Sequence, residues 1–142
     1  MRAAARAALC ATAIVAATCV ATPTASAAAS VTVTGASLDG YPYGVMTASG
    51  TATCSTTSGT ATLEVSANQI FGGHLAAGQG STTISCAQQP AYWTVTLGPQ
   101  PNTCPGNPWY GYCFQSRSFA QVFAVLTVGG AFEAVGSASV NT

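Results

Sequence analysis

Between Thr47 and Leu97 the chain has four stretches in which apolar and mostly hydroxyl-bearing residues alternate. That two-residue period is what most restricts its fold. In Thr47–Cys54, Ala48, Gly50, Ala52 and Cys54 share one face, and Thr47, Ser49, Thr51 and Thr53 the other. Thr60–Ala67 places Ala61, Leu63, Val65 and Ala67 inward against Thr60, Thr62, Glu64 and Ser66. Ser81–Cys86 and Ala91–Leu97 repeat the pattern, with Thr82, Ile84 and Cys86, then Ala91, Trp93, Val95 and Leu97, on the inner side. Successive side chains point to opposite faces of a strand, so each stretch predicts a half-buried β-strand. No stretch from Ala28 onward holds a helical period.

Val31 and Val33, alternating with Thr32 and Thr34, predict a first strand, and Gly40–Gly44 a turn. Residues 68–80 contain Gly72, Gly73, Gly78 and Gly80 and predict a loop. Gly98–Gln115 contains Pro99, Pro101, Pro105 and Pro108 and predicts an ordered loop, because proline fixes φ and donates no ladder bond. Ser118–Val128 is apolar on both faces, as a central strand would be. Gly129-Gly130 signals a hairpin turn into Ala131–Val140, with Phe132, Ala134, Ala138 and Val140 on one side. About seven short strands between Gly/Pro/Ser turns give an all-β protein, expected to be an antiparallel β-sandwich.

The N-terminus sets the compartment. Arg2 and Arg6 precede an uncharged stretch from Ala7 to Ala21, and Ala25-Ser26-Ala27 offers an A-x-A exit. These are the three parts of a secretory signal peptide, expected to span 1–27 and leave one domain, 28–142. The apolar stretch is about fifteen residues, against ~20 for a membrane-spanning helix, so no membrane anchor is expected. Cys10 and Cys19 depart with the signal peptide. Cys54, Cys86, Cys104 and Cys113 remain, an even count that reads as two disulfides in an exported domain. No pair has C-x-x-C spacing, so no zinc site or other cofactor is expected. Three connectivities are open. Cys54 and Cys86 both fall on inward faces and can meet in the core, leaving Cys104 and Cys113 to pair locally. After Ala27 the only charges are Asp39, Glu64, Glu133 and Arg117. A nucleic-acid binder needs a basic stripe, which cannot be built here.

The Ala-rich leader, Thr51-Ala52-Thr53-Cys54, Ser58-Gly59-Thr60-Ala61 and Cys86 resemble small secreted actinobacterial immunoglobulin-like domains of uncharacterised function. The resemblance implies an immunoglobulin-like sandwich, with Trp93 packed near a Cys54–Cys86 core bridge.

His74 is the only histidine, and no G-x-S-x-G elbow supplies it with a serine partner. A carboxylate pair drawn from Asp39, Glu64 and Glu133 would suit glycoside hydrolysis, but Glu64 and Glu133 sit at outward strand positions. No catalytic residue is therefore assigned. The segment Cys104–Phe114 carries Trp109, Tyr110, Tyr112 and Phe114, is stiffened by Pro105 and Pro108, and is followed by Arg117. Trp, Tyr and Arg dominate interface hot spots, and a bridge across the loop lowers the entropy lost on binding. These residues, with Tyr41 and Tyr43, form the candidate binding surface, its expected partner a polysaccharide or a protein. The alternatives are a secreted inhibitor of an extracellular enzyme and a self-associating surface protein.

Overall fold

A computed structural model describes residues 28–99 and 113–142. The expected signal peptide and, of the aromatic loop, Cys104, Trp109, Tyr110 and Tyr112 lie outside the described residues. Among the described residues there is no helix. The strands are β1 (Ser30–Leu38), β2 (Tyr43–Gly44), β3 (Met46–Thr53), β4 (Thr60–Phe71), β5 (His74–Ser85), β6 (Ala91–Pro99), β7 (Phe114–Gln115), β8 (Phe119–Val128) and β9 (Ala131–Asn141). Seven form one antiparallel sheet in the order β1-β3-β6-β5-β4-β8-β9, and β2 pairs with β7.

Alternation carries through to burial. Ala61, Leu63, Val65 and Ala67 of β4 are buried, as are Trp93, Val95 and Leu97 of β6 and Ala120, Val122, Ala124 and Leu126 of β8. All join Cys54, Cys86 and Met46 in one core. β5 and β6 pair only through Gly78 with Pro99 and Gln79 with Gly98. β1 and β9, at opposite ends of the strand order, come into contact. The Cys54–Cys86 disulfide, Cα to Cα 5.6 Å, joins the end of β3 to the end of β5.

Contact between β1 and β9 depends on a missing side chain. A Cβ on Gly136 would stand 2.3 Å from the Val31 carbonyl oxygen. Backbone cannot swing aside as a side-chain tip does, so Gly136→Ala is expected to cost about 1–3 kcal/mol. Denaturant unfolding checks this; a change under ~0.5 kcal/mol, the range of an ordinary surface substitution, would mean that the strands separate freely.

Three expectations need correction. Within Gly98–Gln115, expected as a loop, Gly98 and Pro99 belong to β6 and Phe114–Gln115 is β7. Residues 68–80 are not a loop: β4 runs on to Phe71 and β5 starts at His74. Gly72 and Gly73, with φ of 53° and 80°, make a two-residue hairpin turn. Gly80 belongs to β5, where a Cβ would lie 2.5 Å from the Thr96 carbonyl oxygen. Phe132 does not face inward with Ala134. The register shifts so that Leu126 pairs with Ala134 but Thr127 with Phe132. Glu133 is the extra residue of this bulge, which turns Phe132 out to 66 % exposure.

Candidate functional site

The β2–β7 ladder gathers one set of expected contact residues. Tyr43 pairs with Gln115 and Gly44 with Phe114, so the Tyr41-Pro42-Tyr43 turn is fastened to the chain emerging from the 100–112 segment. The Ser116 amide donates to the Pro42 carbonyl oxygen at 2.9 Å. Arg117 takes a left-handed φ of 58°, uncommon outside glycine, held by its own amide donating to the Thr142 carbonyl oxygen. Its guanidinium carbon lies 5.9 Å from the centre of the exposed Tyr41 ring. The half-buried Tyr43 ring tilts against Phe71, 6.1 Å between centres.

Phe114 is a correction. It was expected at the contact surface, but its exposure is 0 %. It belongs to the core because alternation at β7 sends it under the sheet. A Cβ at Gly78 would stand 3.0 Å from both Phe114 Cε2 and the Leu97 carbonyl oxygen. Both mouths of the 100–112 segment thus converge on Gly78. Gln69, 1 % exposed, secures the returning strand: its Oε1 accepts from the Gln115 amide at 2.6 Å and its Nε2 donates to the Gln115 carbonyl at 3.0 Å. Cys113 is buried and disulfide-bonded, and its expected partner Cys104 lies outside the described residues.

A second surface escaped the sequence reading. The outward face of β5-β4-β8-β9 reads in rows set by the strand registers. Gln79, Ser66, Phe123 and Ser137 form one row, and Ser81, Glu64, Val125 and Val135 the next. Thr83, Thr62, Thr127 and Phe132 follow. At the far end Leu75 pairs with Ile70, and continuing the β4–β8 register sets Phe119 beside Ile70. Eight large apolar side chains are exposed among the described residues, and six of them, Ile70, Leu75, Phe119, Phe123, Phe132 and Val135, lie on this face. The signal was the two-sided apolarity of Ser118–Val128. A central strand of a sheet covered on one side only leaves its second apolar row in solvent.

Within that face is an open cavity of about 500 Å³ lined by Glu64, Val65, Ser66, Gln79, Gly80, Ser81 and Val125. It forms where the short side chains of Ser66 and Ser81 sit between longer neighbours. Its volume is in the range of small-ligand sites. The other two acids are engaged: Asp39 accepts from the Val45 amide at 3.2 Å, and Glu133 accepts from the Ser55 amide at 3.1 Å and from the Ser55 hydroxyl. The side chain of Glu64 makes no hydrogen bond with other described residues, nor do those of Ser66, Gln79 and Ser81. These four neighbours on two paired strands present a carboxylate, an amide and two hydroxyls to solvent.

Glu64 and Glu133 are therefore not paired with each other: Glu133 closes the turn after β3. His74 opens β5. Comparison with protein-family models, curated proteins and solved structures finds no match.

Proposed function

We propose that the chain is an exported, non-catalytic binding module: an immunoglobulin-like β-sandwich with β1-β3-β6 as one layer and β5-β4-β8-β9 as the other. Contact between the two ends of the strand order, and a disulfide from the end of β3 to the end of β5, support the two-layer reading. The leader and the disulfides support export. The ligand is a polysaccharide, held at the cavity around Glu64. The observation that carries this is the unengaged set Glu64, Ser66, Gln79 and Ser81 around the cavity. A sugar unit has hydroxyls that donate to the carboxylate and exchange hydrogen bonds with the amide and the two serine hydroxyls. Tyr41 over Arg117 favours a second contact at the loop end.

The test is retention of the oxidised protein on insoluble cell wall, chitin and cellulose. Wild type is expected to bind at least one. Glu64→Ala should weaken binding roughly tenfold or more, since hydrogen bonds to a charged group contribute ~1.5–3 kcal/mol. Its thermal midpoint should stay unchanged, because Glu64 is exposed. Retention lost in Tyr41→Ala but kept in Glu64→Ala would move the contact to the loop end. No retention by wild type on any of the three would end the polysaccharide reading.

A further inference from the structure

The outward face of β5-β4-β8-β9 divides by chemistry. Polar side chains, Glu64, Ser66, Gln79 and Ser81 among them, fill one corner. Beside it, apolar side chains make an L that is broken at its bend by the polar row Asn68, Gln121 and Ser139, where the Ser139 hydroxyl donates to Gln121 Oε1 at 2.7 Å. One arm is the end row Leu75, Ile70 and Phe119; the other runs down β8 and β9 through Phe123, Val125, Val135 and Phe132. Exposures reach 75 % at Ile70 and 70 % at Phe119. Single exposed apolar residues need no explanation, but six of eight gathered on one face mark an interaction surface.

We infer that this L is the interface of a homodimer, two copies packing face to face with the polar corner of each left open at the rim. Area is the first argument. At ~150–250 Å² for an aromatic side chain and somewhat less for an aliphatic one, the exposed fractions of the six residues leave roughly 700 Å² per copy. Two copies would bury about 1,400 Å², inside the ~1,200–2,000 Å² of stable protein interfaces. Charge is the second argument. The L has no charged side chain, and the one charge on the face, Glu64, lies in the polar corner. A charged partner finds no counter-charge there, whereas a second copy has no charge to desolvate. From Ala28 onward the chain carries one base and three acids, and a surface so poor in charge has little to hold like copies apart. The bulge at Glu133 fits the same role, because it delivers Phe132 to this face.

Sedimentation equilibrium of the oxidised full-length mature protein tests the inference. Wild type is expected to be dimeric in the micromolar range. Phe119→Glu with Phe132→Glu should raise the dimer dissociation constant at least ~100-fold, as loss of two large aromatic anchors and their replacement by charge does. A folded variant is recognised by its near-ultraviolet circular dichroism; should this one fail that check, Val135→Lys, a single change at an exposed position, takes its place. A wild type that stays monomeric up to about 100 µM, above the micromolar limit for interfaces of this size, overturns the inference. So does a folded variant that dimerises as wild type does. Glu64→Ala should leave the dimer intact, so failure of polysaccharide binding and failure of dimerisation are read separately.

Discussion

Replacing Cys54 and Cys86 together by alanine lowers the unfolding free energy by about 4 kcal/mol, the entropy of closing a loop of about 33 residues. Domains of this size hold only ~5–15 kcal/mol in total, so the loss is a large share. The position of the bridge adds to the effect. It ties the end of β3 to the end of β5, two strands that are not neighbours in the sheet. Both cysteines are fully buried, so the substitution also leaves a void where the sulfurs packed. Guanidinium unfolding of the double variant is the measurement, since chemical reduction of the wild type would also attack the bridge of Cys113. A loss under ~1 kcal/mol would mean that the unfolded chain is already compact around this loop.

Phe114→Ala should cost about 3–5 kcal/mol, the range for a fully buried phenylalanine. Strand β7 is two residues long and makes two pairs with β2, so its seat depends on what Phe114 fills. The ring lies where Gly78 has no side chain, and no neighbour there can grow into the void. A contact residue would behave in the opposite way, losing binding while the unfolding midpoint held. Unfolding of the variant beside its retention on polysaccharide separates the two. An unchanged midpoint would return Phe114 to the surface.

Much of the sheet was legible because one layer of buried side chains imposes a two-residue period that the sequence writes directly. Leu63, Val65, Trp93, Val95 and Leu97 all lie on the faces that alternation predicts. What escaped depends on partner strands. Gly72-Gly73 is a tight turn only because β4 and β5 pair along their whole length, and four glycines in thirteen residues look like a loop until Gly80 is seen against Thr96. The outward turn of Phe132 follows from a bulge, and a bulge is a relation between two strands. Of the expected contact residues, Tyr41, Tyr43 and Arg117 do meet at one end. Their meeting rests on the β2–β7 ladder, whose four residues carry no period. The outer face was visible as the two apolar rows of Ser118–Val128, but that pattern alone does not say whether a second layer covers both.

The chain leaves β6 and returns at β7 on either side of Gly78, and the return is clamped by Gln69 and the β2 ladder. Those two anchors are made by residues outside the stretch between Pro99 and Cys113. The entropy of closing such a connection rises only by about 0.6 kcal/mol for each doubling of its length. Sequence can therefore be exchanged or lengthened there while the fold stays as it is, which makes the Gly78 gateway a natural port for inherited variation and for grafting foreign peptides.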